Sequence, residues 1–199
     1  QDYLIEILAE CKRAGNPDLV YKFASTSKIT FPGSGIAALA TSPNNMEDIL
    51  AQLKHQTIGH DKVNQLRHVR FFGDIHGMVE HMRKHAEIIR PKFEAVEGIL
   101  ERDLGGLEIG SWTNPLGGYF MMFSALPGCA KDIVAHAKKA GVVITPAGST
   151  WPYKKDPLDS DIRIAPTYPT MDDLVEAMNV FTLCVRIASA KKILEEKTM

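Results

Sequence analysis

Cysteine is scarce in this chain. Cys11, Cys129 and Cys184 are the three in 199 residues. They are too far apart for a CxxC pair or a disulfide framework. A reducing compartment, the cytoplasm, is the simplest setting for such usage. Long apolar stretches are missing too: runs such as Ile36–Ala40 stop at five residues, far short of the ~20 a spanning helix needs. No membrane partner is therefore expected. The opening residues carry no charged-then-apolar pattern, so no leader is expected. Neither sign of charge dominates, with 23 Lys and Arg against 24 Asp and Glu and a net charge of −1. That balance speaks against nucleic acid or an anionic membrane as the main partner, since both call for clustered basic residues. Internal repeats and low-complexity tracts are absent as well.

What is present is ample apolar material. At 45% hydrophobic and 24% charged, the chain is not of the disordered class. Its length suits one or two domains with a sizeable core.

The pattern along the chain predicts a helix over 2–14, with Leu4, Leu8 and Cys11 on one face and Gly15 as its stop. A short strand is expected at 19–24, a loop at 25–35 and a second strand at 36–41. Pro43-Asn44 opens a helix, with Asn44 read as the cap and Glu47 as its reciprocal partner. A polar helix covers 60–70. From Ile75 to Leu100, apolar residues step by four and three in turn. That spacing is one long helical stripe, which Pro91 should bend because it removes a backbone donor. Gly105-Gly106 ends it. Strands are expected at 107–112, 118–124, 142–145 and 161–165, with a helix at 130–140. A final helix from Met171 to about Glu195 is entered through Pro169-Thr170, with Asp173 in its first turn. This alternation resembles a small α+β domain.

Two strands cannot make a stable buried sheet in the first 70 residues. Strands as apolar as Ile36–Ala40 want cover on both faces. The segment is therefore expected to complete a sheet whose other strands lie outside this sequence.

The loop at 25–35 is the richest in chemistry. Ser25, Thr26, Ser27 and Thr30 surround Lys28. Hydroxyls and free backbone N–H groups can cradle a phosphate. A lysine beside a buried strand is partly desolvated, and a neutral amine can condense with a carbonyl. A solvated connector has the same composition. Gly33-Ser34-Gly35-Ile36-Ala37-Ala38 matches G-x-G-x-x-A, but it leads into a strand rather than opening a helix, so the dinucleotide context fails. On the strand at 161–165, Arg163 is expected to share a face with Asp161 while Ile162 and Ile164 face the other way. Its planar fork suits a carboxylate, or an ion pair with Asp161.

The segment Ser25-Thr26-Ser27-Lys28, within VYKFASTSKITFPGSGIA, resembles the S-x-S-K motif of the class I, fold-type I aminotransferases that use pyridoxal 5'-phosphate. Further landmarks follow in order. Pro115-Leu116-Gly117-Gly118-Tyr119-Phe120 resembles the family's P-x-G-G-x-F strand, Gly141–Ser149 its G-V-x-V-x-P-G segment, and Asp161–Ala165 the segment whose arginine binds the substrate α-carboxylate. Within the family the sequence most resembles an atypical bacterial group of aspartate aminotransferases.

The resemblance implies an α/β fold: the C-terminal part of a fold-type I transferase, with residues 1–90 ending the large-domain sheet and 91–199 forming a small α+β domain. It implies that Lys28 carries the cofactor and moves the substrate proton. It implies that Ser25, Ser27 and Ser34 help to bind the cofactor and that Arg163 binds substrate. It further implies amino acid and 2-oxo acid substrates and a homodimer. A PLP-dependent lyase, or a ligand-sensing domain of a transcription regulator, stands on the same scaffold. One departure is plain. Most class I members carry a basic residue about eight positions after the lysine, where this chain has Ser34-Gly35-Ile36. The phosphate would then be held by Ser25, Ser34 and backbone donors, or by an arginine from elsewhere. The family's ring-binding residues precede the lysine and are expected outside this sequence.

Other candidates read as structural. His81 and His85 have the i, i+4 spacing of zinc ligands but no HExxH pattern, so no metal is expected. Arg67 and Arg70 could reach a substrate carboxylate, or could complement a helix end. Trp112 and Trp151 read as core or interface, and Met121–Phe123 as a buried strand.

Overall fold

The computed structural model describes residues 4–30 and 33–198. The chain divides between Ala86 and Glu87 into two compact units.

The first unit begins with α1 (Ile7–Arg13), capped by the Glu6 carboxylate, which accepts from Ala9 N at 2.7 Å. This helix is shorter than the sequence suggests, and residues 2 and 3 of the expected span lie outside the described residues. A single 3-10 turn at Pro17–Leu19 replaces the expected start of the next strand. The φ of Pro17 favours that turn, and β1 runs from Lys22 to Ser25. It pairs antiparallel with β2 (Ala37–Ala40), Ser25 lying opposite Ala37. Then come α2 (Pro43–Gln56) and α3 (Lys62–Phe72). The cap of α2 is Ser42, not Asn44. Ser42 Oγ accepts from Asn45 N at 3.2 Å, and Pro43 fills the first helical position, which needs no N–H. Asn44 instead donates to Asp18. Gly73, at φ 71°, ends α3, a conformation only glycine adopts freely.

The long stripe is one helix, α4 (Ile75–Leu104), with Pro91 inside it. Its C-terminal turns belong to the second unit. There a three-stranded antiparallel sheet has the order β3 (Gly110–Trp112), β4 (Met121–Ala125), β5 (Asp161–Ile164). Helices α5 (Ala130–Lys139) and α6 (Met171–Thr198) complete the unit. Thr170 opens α6, its Oγ1 accepting from Asp173 N at 3.2 Å and donating to the Asp173 carboxylate at 2.7 Å. Residues 142–145 are not a strand. Val142 N donates to Ala137 O in the exit from α5, and Pro146 lacks the N–H a ladder would use.

Strand alternation builds the core. Met121, Phe123 and Ala125 of β4 and Ile162 and Ile164 of β5 are buried. They pack with Val96 and Leu100 of α4, Ile133 of α5, and Phe181 and Val185 of α6. Phe123 meets Phe181 edge-on at 5.2 Å. Every buried apolar side chain among the described residues comes from this second unit. Among the described residues of the first unit the buried ones are Ser42 and His68, while Phe23 is 73% exposed. The apolar strand pair is therefore uncovered, because two strands have no second layer to pack against.

Candidate functional site

Two places in the chain carry the chemistry, one in each unit. The first is the loop between β1 and β2. Thr26 N donates to Ile36 O at 2.9 Å, extending the ladder by one rung. The chain then turns, with Ile29 N and Thr30 N both donating to Thr26 O at 2.8 Å. Lys28 stands on this turn and is exposed. The sequence argument for a desolvated lysine fails within this chain, since the strands it follows are themselves uncovered. Residues 31 and 32 of the loop lie outside the described residues.

The serines are placed by one another. Ser25 Oγ lies 2.7 Å from Ser27 Oγ and accepts from Ser27 N at 3.1 Å. A Cβ on Gly35 would stand 3.1 Å from both Ser27 N and Ser27 Oγ, so glycine lets the returning arm lie against Ser27. Ser34 is held through its carbonyl, which accepts from Asn64 Nδ2 at 2.8 Å. Ser25, Ser27, Lys28 and Ser34 thus belong to one hydrogen-bonded loop.

The residue that sequence reasoning missed here is His68. It lies within the helix read only as polar, yet it is 5% exposed. Its Nε2 is 3.3 Å from Thr26 Oγ1 and 3.1 Å from Thr30 Oγ1. Its i, i+4 spacing with Asn64 puts the two on one face of α3, but that spacing alone does not mark a buried residue, and the contacts with Thr26 and Thr30 are long-range.

The second place is β5. Ile162 and Ile164 are buried and Asp161 and Arg163 half-buried, as the alternation requires. The guanidinium carbon of Arg163 stands 4.5 Å over the Phe120 ring. Arg163 Nε is buried without a hydrogen-bond partner among the described residues. Asp161, which could have paired with it, is occupied by others. It accepts from Trp151 Nε1 at 3.0 Å and from Ser124 Oγ at 2.8 Å.

The entry to β5 is fixed by Asp156. Its carboxylate accepts from Leu158 N at 2.9 Å, and from Ser160 N and Asp161 N at 2.8 Å each. Burial pushes this carboxyl up, but the N–H groups of Asp161, Ser160, Leu158 and Asp159 together hold it below its ordinary value. Arg163 also borders a cavity of about 600 Å³ lined in part by Ile144, Tyr168, Asp173 and Phe181.

The remaining candidates have other settings. The His81 and His85 rings lie 4.4 Å apart, with Phe71 and Phe72 packed on His81 at 5.2 and 5.6 Å. No group of three metal-ligating side chains occurs among the described residues. Arg67 and Arg70 are exposed on α3. Gly33-Ser34-Gly35 leads into strand β2, as the failed dinucleotide context requires. Among the described residues no helix is long and apolar enough to cross a membrane.

Comparison with known proteins gives consistent results. The family model described as aspartate amino-transferase matches residues 1–197. A Mycolicibacterium smegmatis protein whose name assigns it provisionally to the aminotransferases is 47% identical over 97% of this chain and 45% of its own length. The crystal structure of an aspartate transaminase from Corynebacterium glutamicum is 40% identical, with a TM-score of 0.90 over 94% of this chain and 44% of that one. An α-aminoadipate aminotransferase from Thermus thermophilus shares the fold at 18% identity, with a TM-score of 0.76 over 96% of this chain and 47% of that one. The chain spans about 45% of the length of the curated relatives it matches.

Proposed function

The chain belongs to the aspartate aminotransferase family, and from that premise we propose that the full-length protein moves an amino group between an L-amino acid and a 2-oxo acid with pyridoxal phosphate as cofactor. Aspartate or another dicarboxylate is the proposed amino acid, in line with the name of the Corynebacterium relative. The observation that carries the reading is Arg163. Its Nε is buried, and no group among the described residues satisfies it. Buried polar groups of native proteins are rarely left so. A carboxylate offers two parallel acceptors to such a fork.

The residues of the loop fit the cofactor. It holds an amine, three serine hydroxyls and a close glycine contact that keeps one face of Ser27 clear of side chains. When bound, pyridoxal phosphate supplies an aldehyde carbon for amines and a ring that takes up negative charge. Ser25, Ser27 and Ser34 would hold it with their hydroxyls. Lys28 would hold it through Nζ and, once the substrate amine had taken its place, would move the α-proton of the substrate at the freed Nζ. Arg163 would fix the substrate through its α-carboxylate, and the aromatic face of Phe120 would hold the guanidinium plane. The same reading has two copies of the protein pairing in the cytoplasm.

The test uses the full-length protein, incubated with pyridoxal phosphate, reduced with borohydride and mapped by peptide mass. A pyridoxyl adduct on Lys28 supports the reading. An unmodified Lys28 in folded, cofactor-exposed protein overturns it. Aspartate with a 2-oxo acid should then give oxaloacetate and a new amino acid, and sedimentation velocity should give a dimer.

A further inference from the structure

We propose that His68 is a positioning residue for Lys28, acting through the hydroxyls of Thr26 and Thr30. The inference deepens the proposed role of Lys28 and rests on it.

Thr26 and Thr30 stand two residues before and two residues after the lysine. His68 reaches both from α3, with Nε2 at 3.3 and 3.1 Å from their Oγ1 atoms. The other ring nitrogen fixes the tautomer. Nδ1 faces the carbonyl oxygen of Asn64 at 2.8 Å. A carbonyl only accepts, so Nδ1 carries a hydrogen. The Nε2 of the neutral ring is then an acceptor for a threonine hydroxyl. The hydroxyls are linked in turn. Thr30 Oγ1 lies 3.1 Å from Thr26 O and 3.2 Å from Thr26 Oγ1, which accepts from Ile36 N at 2.9 Å.

One turn earlier on α3, Asn64 Nδ2 donates to Ser34 O at 2.8 Å and to Gly35 O at 3.2 Å. Both arms of the lysine loop are therefore held by one face of one helix. Among the described residues of the first unit, His68 and Ser42 are the buried ones, and no buried apolar side chain surrounds them. The hydrogen-bonding partners of His68 are two hydroxyls and one backbone carbonyl. Apart from the carbonyl of its own helix, they lie on the turn that carries Lys28. Supporting bonds of this kind set the orientation of a reactive group at some distance.

The experiment uses the full-length protein mixed with pyridoxal phosphate for set times and quenched with borohydride. Lys28 Nζ bonds to the aldehyde carbon with loss of water. Borohydride then gives hydride to that carbon, and solvent gives a proton to the nitrogen. The readout is the rate at which pyridoxyl-Lys28 accumulates, measured by peptide mass, beside the melting temperature of each protein.

We expect His68→Ala to slow adduct formation about 10- to 100-fold, by analogy with the loss of a hydrogen-bonding partner behind a metal ligand. His68→Gln, whose amide oxygen can accept from the same hydroxyls, should recover most of the rate. Thr30→Val keeps the side-chain volume and leaves His68 in place. It should slow the adduct while leaving the melting temperature near that of the parent. Should His68→Ala fail to fold, Thr30→Val and His68→Gln decide the matter. An adduct rate in Thr30→Val equal to that of the parent overturns the inference, as does His68→Gln performing no better than a folded His68→Ala. A parent protein that gives no adduct on Lys28 overturns the cofactor reading and this inference together. A parent adduct with insensitive variants overturns this inference alone.

Discussion

The Arg163 guanidinium lies 4.5 Å over the Phe120 ring, while its Nε is buried with no hydrogen-bond partner among the described residues. The ring orients the cation without satisfying Nε. The two residues divide the work: Phe120 holds the plane, and an incoming carboxylate supplies the acceptors. Phe120→Leu should therefore raise KM for the amino acid by roughly 2- to 30-fold, the factor that corresponds to a cation–π contact of ~0.5–2 kcal/mol. Arg163→Lys should cost more, since a lysine offers no planar fork. Steady-state kinetics of the full-length protein on a series of amino acids checks both, and an unchanged KM in Arg163→Lys would remove Arg163 from the substrate site.

A second expectation concerns acid. The Arg102 guanidinium and then the Thr182 hydroxyl hold the Asp103 carboxyl at about 2, below the ordinary aspartate value of 3.8. A folded value below the unfolded one adds stability at any pH above the unfolded value. That stability is lost as pH falls from about 4 toward about 2. Asp103→Asn should melt lower than the parent at pH 6, and the gap should close near pH 2. Arg102 is largely exposed, so added salt should shrink the gap as well. Melting curves by circular dichroism across this pH range give the answer.

The core of the second unit can be probed at one ring. Phe123 is fully buried between Phe181 and Trp112, at centroid distances of 5.2 and 6.4 Å. Phe123→Ala should destabilise that unit by about 3–5 kcal/mol, the range for deleting a buried aromatic side chain. Urea unfolding followed by tryptophan fluorescence would measure it.

The cysteines should separate by reactivity. Burial pushes the Cys129 and Cys184 thiols up, and they are 3% and 4% exposed. Cys11 on α1 is half-buried. Iodoacetamide at neutral pH should label Cys11 in native protein and reach the other two only in denaturant, because the thiolate is the nucleophile. Mass spectrometry of the labelled peptides is sufficient. Early labelling of Cys129 would contradict its burial, in which Sγ lies 3.9 Å from Ala188 O of α6.

Much of this was legible in the sequence, for reasons that differ by element. The stripe from Ile75 to Leu100 survives as α4 because a 3.6-residue period has one common structural solution. The alternation at 161–164 set the faces of β5, and so placed Arg163 opposite the core. The apolar run at 142–145 misled, because a strand requires a partner with free donors and acceptors, and short-range pattern carries no information about partners. Asn44 lost the cap of α2 to Ser42 because Pro43 defines the first turn, and both Ser42 and Asn44 are good capping residues. His68 was invisible for a similar reason. Its burial comes from a loop about 40 residues earlier, and nothing local distinguishes it from the exposed basic residues on either side.

The uneven burial of the two units has a consequence for the fate of the chain in a cell. A protease samples whatever opens, and a chaperone binds whatever stays greasy in water. The stretch after Glu87 has a core of its own, though Leu116, Val143 and Leu158 stay exposed, and should withstand digestion as an intact piece. The stretch before it shows Leu4, Ile5, Phe23 and Val63 to the solvent. Without a covering surface it is the part that would be cut, captured or drawn into aggregates. The residues proposed to hold the cofactor thus sit on the half of this chain with the least protection of its own.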